Sequence, residues 1–282
     1  MTNPKEAASL LQMTPFISLF LLAIFPYPIV SSKYFQSFDF PQQLDGCHKG
    51  QTVKSIHEIK QYLRKFGYLD VYNNHTEHED NDEFDDILES GIRTYQFNYH
   101  LKATGKLDAQ TVKQTRLPRC GVPDIVNGKR SGKKKHTKGG KSSSVHNVSH
   151  YSFFQGSPRW PSSKPHLTYQ FSSTIPVTDL KTLKTVSSRA FARWAEVSHF
   201  TFSEATDEAD IVIGFYSGDH GDGSSFDGPE TVAVHEIGHL LGLEHSSEPK
   251  AIMYPTILFG SLKRQLHGDD VQGIRSLYGH LA

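Results

Sequence analysis

Apolar positions change their period along the chain, and each period predicts a different kind of element. Over 44–124 they recur every three to four residues. Val53, Ile56, Ile59, Leu63 and Phe66 share one face of a predicted helix that Gly67 ends. Phe84, Ile87, Leu88, Ile92, Tyr95 and Tyr99 mark a second helix, and Asp108 caps a short third one running through Val112. A small helical domain over 44–124 follows from this pattern. The acidic stretch 77–86 between the first two helices reads as a solvated loop.

Beyond 150 the period alternates between two kinds. A strand is expected over 167–171 and a long helix over 177–197, with Leu180, Leu183, Val186, Ala190, Phe191 and Trp194 on one side. Further strands are expected over 200–202 and 211–215. Strand, helix, strand, strand predicts an α/β domain over 150–282, a twisted mixed sheet with helices packed on it. Residues 125–149 have no apolar period. Lys129, Arg130, Lys133, Lys134, Lys135, Lys138 and Lys141 sit there among Gly and Ser, as in a flexible basic linker that proteases cut readily. Such a run also suits docking on anionic polysaccharide.

The first 32 residues add a compartment. An apolar run over 16–25, then Pro26, Pro28, Ser31 and Ser32, has the length of a signal-peptide core and is too short to span a bilayer. No other segment reads as a membrane or lipid anchor. Secretion would make Asn74 and Asn147 glycosylation acceptors, each in an Asn-x-Ser/Thr triplet. The chain is 282 residues long, enough for one large or two modest domains, and its formal net charge is zero, which argues against nucleic acid as a partner. A monomer is expected.

The chemistry concentrates in 235–245, His-Glu-Ile-Gly-His-Leu-Leu-Gly-Leu-Glu-His. His235 and His239, four apart on a helix, put two imidazoles on one face a turn apart, where they can share a metal. Val232, Val234, Ile237, Leu240 and Leu241 bury the rest of that helix. Gly242 lets the chain leave the helix so that His245 swings back as a third ligand. Three neutral imidazoles leave Zn²⁺ one open position, the pattern of a catalytic site, where bound water becomes acidic near neutral pH. Glu236, about 100° around the helix, is placed to take a proton from that water and pass it to a departing amine. The reaction expected is peptide hydrolysis without a covalent intermediate.

Upstream, Pro118-Arg119-Cys120-Gly121-Val122-Pro123-Asp124 is held extended by its prolines. A Cys120 thiolate there can fill the open position and silence the site, with Arg119 and Asp124 pairing to hold the loop. The other use of Cys120 is a disulfide with Cys47.

These motifs together resemble the matrixins, the matrix metalloproteinases, and in particular their short plant members. The resemblance runs from about 44 to 281. It implies a peptidoglycan-binding-like prodomain, a cysteine switch, the zinc helix, a Met-turn at Met253, and a closing helix from Gly268-Asp269-Asp270. It implies a secreted zymogen without a hemopexin-like domain, opened by an activating protease near His150 and cutting extracellular proteins in the matrix or cell wall. The new N-terminus would then pair with Asp269 or Asp270. The loop over 255–266 would wall the substrate pocket. The resemblance also implies a structural Zn²⁺ and Ca²⁺, for which this chain offers incomplete sets: His220 and Asp222 for zinc, Asp227 for calcium. Only 216–230 separate the last strand from the zinc helix, whereas the family carries a much longer segment with an edge strand for substrate. A second reading follows, of a catalytically weakened matrixin-like protein that serves as a wall- or matrix-binding scaffold.

Overall fold

The computed structural model describes residues 44–69, 81–126, 149–173, 180–215, 229–256 and 263–279. The expected signal peptide, Asn74, Asn147, nearly all of the linker, and His220, Asp222 and Asp227 lie outside these residues.

The N-terminal part is helical: α1 (Ile56–Lys65), α2 (Asp86–Asn98) and α3 (Ala109–Thr115). α1 buries Ile56, Ile59, Tyr62 and Leu63 along one face and stops before Gly67. Asp85 caps α2 by accepting from the Leu88 N–H, and Asp108 caps α3 by accepting from the Thr111 N–H. The face of α2 differs from the expected one at one position. Leu88, Ile92 and Tyr95 are buried, with Tyr99 just beyond the helix, but Ile87 is 41% exposed. It stands about 100° around the helix from Leu88 and so misses the stripe.

Of the acidic stretch 77–86, the structure describes 81–86, where Glu83 and Asp86 are exposed. This end is tied to α1: Asp82 accepts from the His57 backbone and ring, and Asp85 pairs with the buried Lys60 at 3.1 Å.

The C-terminal part is built from β1 (His166–Ser173), α4 (Leu180–Ala195), β2 (Thr201–Glu204), β3 (Ile211–Phe215), α5 (Pro229–Leu240) and α6 (Gly268–Tyr278). α4 carries the chain from β1 to a parallel β2, as a crossover helix must. The strand order is β2–β1–β3, with Leu167 opposite Phe202 and Tyr169 opposite Ile211. All the described strands are parallel, so the antiparallel member of a mixed sheet is not among the described residues. Leu180, expected on the buried side of α4, is exposed at the helix start, while Leu183, Val186, Ala190, Phe191 and Trp194 face inward.

α5 is buried on every side where it is described, so its placement is set by packing rather than by amphipathicity. Trp194 reaches it from α4 and donates its indole N–H to the Val234 carbonyl at 2.8 Å. Trp194, Phe191, Ile213, Ile237, Met253 and Ile274 belong to the core on this side. Burial of each such side chain contributes roughly 1.5–3 kcal/mol. A separate core, including Leu44, Ile56, Phe66, Phe84 and Tyr95, holds the helical part together. Tyr254 from the C-terminal part enters that second core and meets the Tyr99 ring edge-on at 6.0 Å. His100 adds a contact at 2.7 Å to the Ser247 carbonyl. Among the described residues no helix is long and apolar enough to cross a membrane.

Candidate metal centre

α5 delivers His235 and His239 on one face, with ring centroids 4.7 Å apart. Gly242 then ends the helical course with a φ of 93°, a left-handed conformation that most side chains avoid. The turn brings the His245 ring to 5.4 Å from His235 and 5.1 Å from His239. Gly238 is required for a different reason: a Cβ there would lie 2.3 Å from the Met253 sulfur and 2.8 Å from the Trp194 ring. Met253 is thus packed directly beneath the ligand helix. Asp270 on α6 fastens that turn, accepting from the backbone N–H groups of Ile252 at 2.9 Å and Met253 at 3.1 Å.

Each imidazole is held by its Nδ1. His235 bonds the Ile252 carbonyl and His239 the Leu243 carbonyl, both at 2.7 Å, while His245 bonds the Asp124 carboxylate at 2.8 Å. Carbonyl and carboxylate oxygens only accept, so Nδ1 carries the proton and Nε2 presents its lone pair. The Nε2 atoms of His235 and His245 are buried with no hydrogen-bond partner. Burial, followed by the neighbouring His245, pushes His235 down to about 3. Burial and the other two rings lower His239 as well. Burial also lowers His245 despite its carboxylate partner. The His245–Asp124 contact is therefore a neutral imidazole N–H on a carboxylate. Three neutral, convergent imidazole nitrogens are the donor set zinc uses.

Cys120 completes the cluster. Its Sγ and one nitrogen from each of His235, His239 and His245 all lie within 4.8 Å of one another, and all four residues are buried. The sulfur is 3.6 Å from His239 Nε2 and 3.7 Å from Glu236 Oε1. Burial, then the Glu236 carboxylate, pushes the thiol well above its ordinary value. A divalent cation held by the histidines would reverse that preference and favour the thiolate. Both cysteines are free, with Cys47 in the helical core and Cys120 at the cluster.

The segment around Cys120 lies along the chain that follows the Met253 turn: Arg119 bridges Thr256 in antiparallel fashion, and Cys120 N–H donates to the Pro255 carbonyl at 2.8 Å. Arg119 is enclosed. It forms two bonds with Asp124, at 2.9 and 3.0 Å, donates to the Tyr99 hydroxyl, and stacks on Phe66 with its guanidinium carbon 3.3 Å from the ring centroid. Burial would raise the Asp124 carboxyl, but Arg119 and the His245 N–H hold it well below the ordinary carboxylate range.

Comparison with known proteins supplies the family. Residues 159–232 and 229–279 match the matrixin family model, and residues 52–114 match that of the peptidoglycan binding domain. Metalloendoproteinase 5-MMP of Arabidopsis thaliana is 43% identical over 282 aligned residues, covering 84% of this chain and 74% of that protein. Metalloendoproteinase 1 of Glycine max is 39% identical, covering 82% and 84%. The interstitial collagenase of Oryctolagus cuniculus is 32% identical, covering 67% of this chain but 42% of its own length.

The chain belongs to the matrixin family.

As a matrixin it is a zinc-dependent metalloendopeptidase, with a helical domain ahead of a catalytic one. The alignments also show that it is shorter than its relatives over the matched region. In the 5-MMP alignment, 282 positions draw on 84% of a 282-residue chain, so about 45 positions are filled by the relative alone. The matrixin match falls into two pieces that meet at 229–232, the start of the zinc helix. Sequence reasoning missed three parts of the site: the Asp124–His245 bond, the Trp194 prop, and the Asp270 clasp on the Met253 turn. Each is a contact between segments far apart in the chain, for which no local spacing gives a signal.

Proposed function

We propose that this matrixin is a secreted zymogen in which His235, His239 and His245 hold the catalytic zinc and Cys120 is its fourth ligand in the latent form. The observation that carries this is the four-atom cluster of three histidine nitrogens and the Cys120 sulfur, enclosed by Arg119, Asp124 and the helical core. When bound, zinc polarises the scissile carbonyl and lowers the pKa of water at the position Cys120 gives up. Glu236 accepts the proton of that water and returns it to the departing amine. Glu236 lies on α5 beside the sulfur, within reach of that same position.

Secretion rests on the apolar run at 16–25, and release of the latch on a cut in the basic linker 125–149 by an activating protease. The His150 backbone N–H already donates to Asp269 at 2.8 Å. Asp269 is therefore the residue that a new amino group near 150 would meet. Asp270 is engaged with the Met253 turn. Extracellular protein substrates and a wall or matrix polysaccharide on the basic linker or helical domain complete the reading.

The test is peptide hydrolysis by the full-length chain. Wild type should be silent until the linker is cut, and Cys120→Ala should cleave a quenched matrixin-type peptide without processing. A Cys120→Ala chain that binds zinc and stays silent while the processed wild type cleaves would contradict the latch.

A second reading is favoured by the roughly 45 positions that the relative fills alone, together with the break in the matrixin match at the start of the zinc helix. The missing segment would include the edge on which substrate backbone pairs, and strand addition supplies much of the affinity in such clefts. In that case the processed chain retains zinc and binds polysaccharide but turns over peptide poorly.

A further inference from the structure

The three imidazoles of the site are not anchored alike. His235 and His239 are held through Nδ1 by carbonyls of their own domain, Ile252 and Leu243, whereas His245 is held by Asp124, which lies ahead of the linker. The Asp124 carboxylate is itself firmly placed. Its Oδ2 accepts from Arg119 Nη1 at 2.9 Å, Tyr68 Oη at 2.6 Å and Tyr99 Oη at 3.3 Å, and its Oδ1 accepts from Arg119 Nη2 at 3.0 Å besides His245. The Asp124 side chain is 2% exposed and that of His245 6%, so water does not compete for the bond. A carboxylate behind a ligand histidine fixes the tautomer and ring orientation and strengthens the ligand. Here that carboxylate belongs to the part of the chain that activation removes.

We propose that Asp124 is a positioning residue for His245, so that the precursor holds zinc more tightly than the processed enzyme, by a contribution separate from the Cys120 thiolate. The inference rests on the zinc assignment made above for His245. It makes the latch a metal-retention device as well as a plug. The linker cut then withdraws one ligand and the support of another in the same event.

The experiment uses the full-length chain, stripped of metal and titrated with Zn²⁺ against a competing chelator. Asp124→Asn is expected to weaken zinc binding by about 10–100-fold. The same factor is expected when Cys120 is already replaced, in Cys120→Ser against Cys120→Ser/Asp124→Asn. Because Asp124→Asn leaves the Arg119 charge buried without its partner, Arg119→Met/Asp124→Asn removes both charges together and should show the same loss. A proton spectrum of the zinc-loaded chain gives a readout that a purely structural role would not move. The Nδ1–H resonance of His245 should shift in Asp124→Asn while those of His235 and His239 stay. Unchanged affinity in the charge-neutral pair, or a loss that vanishes in the Cys120→Ser background, would overturn the proposal while leaving the zinc assignment intact. A wild-type chain that binds no zinc would overturn both.

Discussion

The two sides of the metal centre are made differently. On one side, α5, the turn at Gly242 and the Met253 turn lie within 25 residues of sequence, and they are locked by Trp194 and Asp270 from the same core. On the other, Cys120, Arg119 and Asp124 come from a separate domain and are held by the aromatic groups Phe66, Tyr68 and Tyr99. On the first side His235 and His239 keep their supports whether or not the second is present, and His245 alone leans on Asp124. On the proposed zymogen reading the second leaves as a unit. A site with one permanent wall and one detachable wall can be assembled, checked and kept silent before it is opened.

The contrast is broken most severely at Arg119. Arg119→Ala strands Asp124 as a buried charge, and loss of one partner of such a pair costs about 3–5 kcal/mol. Urea unfolding of the full-length chain should show that loss, together with leakage of activity before processing, because the detachable wall alone is damaged. The permanent wall is probed at Gly238. A methyl group there collides with Met253 and Trp194 and should cost about 1–3 kcal/mol through overpacking, with weaker zinc retention and no gain of precursor activity.

The pH effect is graded rather than abrupt. His235, His239 and His245 are all lowered by burial, to about 3 for His235. Between the ordinary histidine pKa of about 6.5 and that value, the unfolded chain takes up protons that the folded chain refuses. Stability of the metal-stripped chain should therefore be fully present above pH 6.5 and fall as pH drops toward 3. A thermal melt series across that window that stays flat would show that the histidines are not buried neutral.

The permanent wall was the more legible of the two. The spacing of His235, His239 and His245 with Gly242 between them states the site almost completely, because a helix converts spacing into direction. Local caps such as Asp108 were equally readable. The detachable wall was readable only as a motif. That Arg119 pairs with Asp124 follows from their closeness in sequence, but nothing local tells that Asp124 also faces His245, 121 residues away. Ile87 and Leu180 mislead for a related reason. Both are apolar at helix starts, and the tertiary packing, not the residue type, leaves them outside. Gln96 shows the converse. It is a polar residue on the buried face of α2, satisfied by Thr104, Thr111, the Lys106 carbonyl and the Gly105 N–H, a knot of partners that only the folded chain brings together.

The central claim is that a working zinc endopeptidase site lies behind the latch despite the short approach to α5. It is tested most directly by cutting the linker of the purified full-length protein and following hydrolysis of a quenched peptide, with zinc content measured on the same sample, for wild type and Glu236→Ala. The account predicts turnover by the processed wild type and a 10²–10⁴-fold or greater loss in Glu236→Ala, with zinc retained in both. Processed wild type that holds zinc yet cleaves no faster than Glu236→Ala would contradict it.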